Sequence, residues 1–411
     1  MLSADVKQRL LEGVREAGTP FDFKEWAEEA RRAFARLKLD GEVRALTPPG
    51  YWSGPILELA ARESPFRQVF GLDGGSTRPS HFANGMTLCA NQAVLVSEPQ
   101  MELEGMPLEA FRTLALVTHS FAASGGPRAD YREEGPLGWW RIHITKDYLR
   151  GDIDHVVKGL TDSASEARHA LRMAERLELD RDDLLILDGN IFPIGLYYYL
   201  ASGGSFRWEA DLAAFKGAVE ILGQHLRLAE FLTGEGAAYV GINKTPQTRY
   251  LLNCLDGEVP WADDRQFIRA LFHGLPKGEL GWTNWFLQER YRAYLSRRAP
   301  EGIDIFRELD LGKLPPEDYH VAYFFVYDPR TVGGRGSVIK VEVPQVILQQ
   351  RDLEEFQLTI LGEIARGPGV PNVIRRADSR ARITQRERES LMKKTGLPPD
   401  LGYNQGRGEP W

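Results

Sequence analysis

Twice in this 411-residue chain an apolar run of strand character stops on an aspartate that is followed at once by glycine. The first is Gly71-Leu72-Asp73-Gly74-Gly75-Ser76; the second is Leu184-Leu185-Ile186-Leu187-Asp188-Gly189-Asn190. The run Leu184 to Leu187 has no polar position, so it predicts a strand buried on both faces, the setting of a sheet covered by helices on either side. A carboxylate at the C-terminal end of such a strand stands at the sheet edge on a rigid support, and the glycines admit a tight turn. Two such carboxylates on neighbouring strands would lie close enough to share a divalent cation, which relieves their repulsion. The plainer account is that Asp-Gly is a common turn pair. Its repetition, each time behind an apolar strand, favours a site.

The pattern on either side predicts an α/β chain. Residues 4–38 read as two amphipathic helices broken at Gly18-Thr19-Pro20, the second with Trp26, Ala30, Phe34 and Leu37 on one stripe for packing or self-association. Thr47-Pro48-Pro49-Gly50 separates this arm, residues 1–46, from the rest. Four strand-like runs follow, FRQVFGLDGGSTRP, MTLCANQAVLV, FRTLALVTHSFA and GWWRIHI, and predict an antiparallel meander. The stretch DSASEARHALRMAERLEL predicts a helix with Ser163 or Ser165 as N-cap and Glu166 in its first turn. After the Leu184 run come a helix (DLAAFKGAVEILGQHLRLAEFL), a strand (AYVGINK), a helical middle over 262–298, and strands YHVAYFFVYD and GSVIKVEVP. A helix over 351–365, a basic helix over about 377–394 and a tail from 395 close the chain. The sum is a mixed sheet with helices on both faces. Gly333-Gly334-Arg335-Gly336-Ser337 lies between two strands and reads as a hairpin.

Composition narrows the chemistry. With 51 Lys+Arg against 58 Asp+Glu the net charge is −7, which excludes a protein coated in basic residues, and 42 aromatic residues exclude a disordered chain. Two cysteines, Cys89 and Cys254, both in apolar runs, build no disulfide framework or zinc knuckle. The N-terminus lacks a signal-type apolar segment and no run of about 18 apolar residues occurs, so the expectation is a cytoplasmic protein without membrane contact. The eight histidines show no HxH, HxxxH or HExxH spacing. Neither a GxSxG elbow nor a GxxxxGK[ST] loop is present.

Other residues can join the two aspartates. Glu166 could reach over the sheet to complete a metal site with Asp73 and Asp188; its helix macrodipole would favour it there in any case, and Glu175 and Glu178 compete for the role. Lys244, at the end of the run Tyr239 to Asn243, is placed to neutralise a scissile phosphate, with Arg249 nearby in sequence. Residues 366–394 hold nine basic against three acidic side chains, the one stretch where a phosphate backbone would be attracted. A solvated helix face, or contact with an acidic partner, would use the same composition.

The order of these parts resembles the ribonuclease H-like nucleases and, more closely, the NurA nuclease family. The matching pieces are LDGGS at 72–76, LLILDGN at 184–190, YVGINKT at 239–245, VEVP at 341–344 and PNVIRRADSRARIT at 371–384, within residues 65–390 and with an insertion near 255–300. The resemblance implies a ribonuclease H-like mixed sheet and two-metal hydrolysis of DNA in Mn²⁺, with Mg²⁺ as an option. Asp73 would bridge two ions, Asp188 and Glu166 would hold one each, and Asp378 would complete the second, with Lys244 at the phosphate. Arg249, Arg375, Arg376, Arg380 and Arg382 would contact DNA. Where the family usually has Ala-His, this chain reads Ala377-Asp378; an aspartate can ligate a hard cation but is no neutral-pH acid unless its pKa is raised. The resemblance further implies 5′–3′ exonuclease and single-strand endonuclease activity, a homodimer, and a HerA-type hexameric translocase ATPase as partner.

Two other readings use the same residues. Sugar-kinase or actin-like ATPases also place an Asp-Gly turn after a first strand, but need a duplicated domain plan. A nuclease-like scaffold that has lost catalysis would explain the missing C-terminal histidine, though not the paired aspartates.

Overall fold

Runs of β-branched and aromatic residues separated by glycine turns assemble into one large sheet. The structure, a computed structural model, describes residues 3–17, 23–39, 41, 43–84, 86–121, 128–134, 137–144, 150–192, 223–288, 313–315, 319–330 and 336–398. Its strands are β1 (Val43–Ala45), β2 (Tyr51–Pro55), β3 (Gln68–Ser76), β4 (Ser80–His81), β5 (Thr87–Glu98), β6 (Glu102–Leu103), β7 (Met106–Pro107) and β8 (Arg112–Phe121). They continue with β9 (Arg128–Glu134), β10 (Leu137–Ile144), β11 (Asp183–Asp188), β12 (Ala238–Asn243), β13 (Glu279–Thr283), β14 (Phe286–Gln288), β15 (Val321–Asp328) and β16 (Ser337–Pro344). The helices are α1 (Ala4–Ala17), α2 (Phe23–Phe34), α3 (Ile56–Ala61), α4 (Arg150–Leu177), α5 (Asp264–Leu271), α6 (Gln345–Gln349), α7 (Leu353–Arg366), α8 (Asn372–Ala381) and α9 (Gln385–Lys394). Residues 223–235 are also helical.

Fourteen of these strands form a single mixed sheet whose main path runs β1-β14-β15-β16-β12-β11-β3-β5-β8-β10-β9. Its heart is β8-β5-β3-β11-β12: β5 is antiparallel to both β3 and β8, while β11 runs parallel to β3 and β12 parallel to β11. That is the ribonuclease H-like order, three meandering strands followed by two parallel ones. Only this one copy is present among the described residues, without the duplicated plan a sugar-kinase-type enzyme needs. Leu184, Leu185, Ile186 and Leu187 are all buried in β11, at roughly 1.5–3 kcal/mol each, which fixes this strand at the centre. α4 packs against β3, β5 and β8, and α8 against β3, β5 and β11.

Four expectations are corrected. β10 is not the fourth strand of a meander: it runs parallel to β8, and the polar segment Arg128–Glu134 supplies an intervening edge strand, β9, antiparallel to β10. α4 begins at Arg150 rather than near Ser163, so Ser165 is no N-cap; its hydroxyl donates back to the Asp162 carbonyl at 2.9 Å within the helix. The middle region is not wholly helical. Only α5 is a helix among its described residues, and Glu279–Thr283 and Phe286–Gln288 are strands that extend the sheet. The basic C-terminal segment is two helices, with α9 opened by a capping box of Thr384 and Glu387.

The stripe on α2 is consumed inside the chain. Ala30 and Phe34 are buried, Phe34 stacks on Phe267 of α5, and Trp26 meets Trp261 edge to face at 6.2 Å. α1 instead leaves Val6, Leu10 and Leu11 exposed. Cys89 is buried and Cys254 partly buried, and neither is in a disulfide among the described residues. The hairpin expected at 333–337 falls largely outside the described residues, but the strands it joins pair as far as Asp328 and Ser337. No helix among the described residues is long and apolar enough to cross a membrane.

Candidate active site

β3 and β11 are paired up to Leu72 and Leu187, so the next residues, Asp73 and Asp188, end neighbouring parallel strands at one level and on one face. The two carboxyls stand close enough for the Asp188 charge to act on Asp73. The Gly74 N–H donates to Asp73 Oδ1 at 2.8 Å. β12 lies on the other side of β11 with Ile242 beside Asp188. Lys244, two residues further on, returns to the same face, and its ammonium pairs with Asp188 Oδ2.

Two helices close on this strand end from opposite faces, and glycine lets them. A Cβ on Gly75 would stand 1.9 Å from the Ala381 carbonyl oxygen, so only glycine admits the end of α8, a carbonyl that Gln92 Nε2 also holds at 2.8 Å. α8 carries Asp378, exposed but near enough to act on the Lys244 charge. On the other face a Cβ on Gly74 would stand 2.5 Å from Glu166 Oε1, so Glu166 occupies the space that a side chain would take. Glu166 is well inside α4, not in a first turn, and the macrodipole therefore gives no reason for it. The competitors Glu175 and Glu178 lie at the far end of α4, where Glu178 has left the helix with φ of 51°.

One acid was missed from sequence. Asp162 precedes Glu166 by one helical turn, accepts from Asn91 Nδ2 at 2.5 Å and adds its charge to the field at Glu166. The signal was the Asp162-to-Glu166 spacing, hidden because the helix was expected to start at 163.

The electrostatics are those of acids short of positive charge. Burial pushes the Asp73 carboxyl up, Asp188 adds to the rise, and Lys244 and the Gly74 N–H offset it only in part. Glu166 is raised well above the ordinary range by burial, then by Asp73, Asp162 and Asp188. For Lys244 burial opposes the charge, but Asp188, Asp73 and Asp378 outweigh it and its pKa is raised. Among the described residues no three His, Cys, Asp or Glu side chains converge as a finished ligand shell. The Asp73–Asp188 contact comes nearest, with the Lys244 ammonium where positive charge is wanted. The donors are all carboxylate oxygens, which suit a hard cation such as Mn²⁺ or Mg²⁺. His169, by contrast, is buried against Thr113 Oγ1 at 3.0 Å with its pKa lowered to about 3 by burial, the state of a structural imidazole.

The arginines divide. Arg376 donates to the Ser97 carbonyl at 3.1 Å and Arg380 pairs with Glu109 at 3.4 Å, both tying α8 to its surroundings. Arg382 lies 3.7 Å from Asp378, and Arg249 donates to the Ala262 carbonyl at 2.6 Å. Arg375 is exposed on α8.

The family model described as NurA domain matches residues 67–383, a span that begins just before β3 and ends just after α8. This chain belongs to the NurA family. Similar solved structures include the NurA nuclease from Sulfolobus solfataricus, at 14% identity and a TM-score of 0.47 over 96% of this chain and 97% of that one. NurA bound to dAMP and manganese gives 10% identity and a TM-score of 0.44 over 96% and 98%, and NurA with manganese gives 10% and 0.44 over 99% of each chain. Among curated proteins, none matches this sequence. In this NurA chain the matched span contains Asp73, Glu166, Asp188, Lys244 and Asp378 and leaves α1, α2 and α9 outside.

Proposed function

We propose that this chain is a metal-dependent DNA nuclease that hydrolyses phosphodiesters at the C-terminal ends of β3 and β11. The observation that carries the reading is the pairing of Asp73 with Asp188 on neighbouring parallel strands, with Lys244 against one of them. Asp73, Asp188 and Glu166 would hold divalent metal, Mn²⁺ or Mg²⁺. With two ions, Asp73 would be the ligand shared by both and Asp378 would complete the second site. When bound, such cations polarise the phosphate and lower the pKa of an attacking water. Their charge also answers the burial and the repulsion that together raise Asp73 and Glu166. Lys244 keeps its proton and, once freed from Asp188, can pair with a non-bridging phosphate oxygen as charge develops there. Arg249, Arg375 and Arg382 are exposed and suit the DNA backbone, with Arg376 and Arg380 holding α8 in place.

The family reading extends to 5′–3′ exonuclease and single-strand endonuclease action, to a homodimer, and to a HerA-type hexameric ATPase as partner in the cytoplasm. For the protein contacts alone, its support on this chain is the exposed apolar strip Val6, Leu10 and Leu11 on α1, beyond the matched span. A scaffold that binds the translocase without cutting is the second reading, favoured by Asp378 in place of histidine. End-labelled single- and double-stranded DNA incubated with the chain and Mn²⁺ decides between them. Asp73→Ala and Asp188→Ala should each lower degradation by roughly 10²-fold or more, as should chelation of the metal. Undiminished cutting in both variants would sink the assignment, and an inert parent chain that does not bind Mn²⁺ in calorimetry would favour the scaffold.

A further inference from the structure

On the face of the sheet away from Asp188 and Lys244 lies a buried polar network that the reaction above does not use. β16 is antiparallel to β12 with Glu342 opposite Gly241 and Lys340 opposite Asn243, so both side chains point to that other face. Lys340 is 1% and Glu342 6% exposed, and they form an ion pair at 2.5 Å. The Lys340 ammonium also sits 4.4 Å from the Tyr250 ring centre and 4.8 Å from that of Tyr323. The other oxygen of Glu342 accepts the Ile191 N–H at 3.1 Å. Behind Tyr250, the fully buried Asp264 accepts from Thr248 Oγ1 at 2.7 Å and from the N–H groups of Tyr250, Leu251 and Leu252 at 2.7, 3.1 and 3.1 Å.

These bonds converge on two loops. One leaves β11 at Asp188 and reaches Ile191; the other leaves β12 through Lys244 and reaches Tyr250. They are tied to each other as well, by Asn243 Nδ2 donating to Asn190 Oδ1 at 3.0 Å and by the Gly189 N–H donating to the Ile242 carbonyl at 2.9 Å. A buried ion pair is a poor route to stability, because desolvating both ions costs several kcal/mol and an apolar pair of similar volume often serves as well. An apolar pair could not accept the Ile191 N–H or hold Tyr250 by cation–π attraction.

We propose that the Lys340–Glu342 pair is a positioning unit that fixes the Asp188 turn and the Lys244 loop relative to one another from behind the sheet. It rests on the reading of Asp188 and Lys244 as site residues. Neither Lys340 nor Glu342 touches the reacting atoms, so its effect falls on the geometry of the two that do.

The test compares two variants that both lack the buried charge, so that neither leaves an ion uncompensated. Lys340→Met with Glu342→Gln keeps an acceptor for the Ile191 N–H; Lys340→Met with Glu342→Leu does not. In the second, amide exchange over 187–192 should speed up by roughly tenfold relative to the first, and in both variants exchange over 244–252 should exceed that of the parent chain because Lys340 is gone, with 68–76 unchanged. Its kcat on DNA in Mn²⁺ should fall by about tenfold with KM held. Equal exchange over 187–192 in the two variants, or parent-like exchange over 244–252 in both, would overturn the proposal, and so would acceleration spread equally over 68–76, which marks general loosening. If the parent chain cuts no DNA, the nuclease reading fails while the exchange comparison still decides the positioning role.

Discussion

The ends of β3 and β11 and the inner face of β16 both bury acids in the same sheet, and they treat them differently. Asp73 is buried beside Asp188 and close to Glu166, with Lys244 as the cation paired to this group, and burial and like charge push Asp73 and Glu166 up. Glu342 and Asp264 are buried as deeply, yet each oxygen of Glu342 has a partner and Asp264 is held by a hydroxyl and three backbone N–H groups. The first arrangement leaves charge repulsion for a ligand to relieve; the second spends its donors on holding loops still. Burial of an acid therefore says little about its role until its partners are counted.

The sharpest way to break this contrast is at Asp73. Asp73→Ala should lower nuclease activity by roughly 10²-fold or more, as stated above, while leaving the unfolding midpoint unchanged or raised, because it removes a buried charge beside another. A large drop in the midpoint would mean that Asp73 is as well satisfied as Glu342 and that the two regions do not differ. Next come the two glycines at the end of β3. Gly75→Ala meets a backbone carbonyl and should destabilise by about 1–3 kcal/mol in urea unfolding. Gly74→Ala meets only the end of the Glu166 side chain, so it should lower activity while changing stability less. The reverse ranking would show that Glu166 is a packing residue.

The smallest effect is a pH dependence in the satisfied network. Burial raises Asp264 to about 6 from the ordinary 3.8 despite its hydrogen bonds, so the folded state holds this proton to higher pH than the unfolded chain. The stability that this proton contributes is fully present below about pH 4 and is lost as the pH rises through about 6. Asp264→Asn should lower stability by about 1–3 kcal/mol, since one amide oxygen replaces two carboxyl oxygens serving four donors. The gap between parent and variant should narrow as urea unfolding is followed from pH 4 to pH 7. A gap that widens would show that the folded state stabilises the Asp264 carboxylate.

Much of the centre of the fold was legible in the chain. The run Leu184–Leu187 predicted a strand buried on both faces, and two Asp-Gly junctions marked where such strands end. The alternation in Arg112–Phe121 and Leu137–Ile144 showed strands but not their direction, since a parallel and an antiparallel neighbour place side chains on the same faces. Asp162 stayed hidden because the first half of α4 lacks a clean apolar stripe, and Asp378 could be set beside Lys244 only once α8 had been folded over β3.

The β16 segment Ser-Val-Ile-Lys-Val-Glu-Val-Pro draws the line between sequence and structure. Its alternation alone determined a strand with Lys340 and Glu342 on one face, and by the usual rule that face should be wet. Tertiary structure reversed this: Tyr250, Tyr323 and the loop after β12 cover the polar face, and the two charges meet each other, two rings and one backbone N–H, with the Asp264 charge also acting on Lys340. Local sequence sets which residues share a face, because side-chain period is a property of the backbone. Whether that face meets water or another part of the chain depends on contacts between residues as much as 151 positions apart, and those only the folded molecule decides.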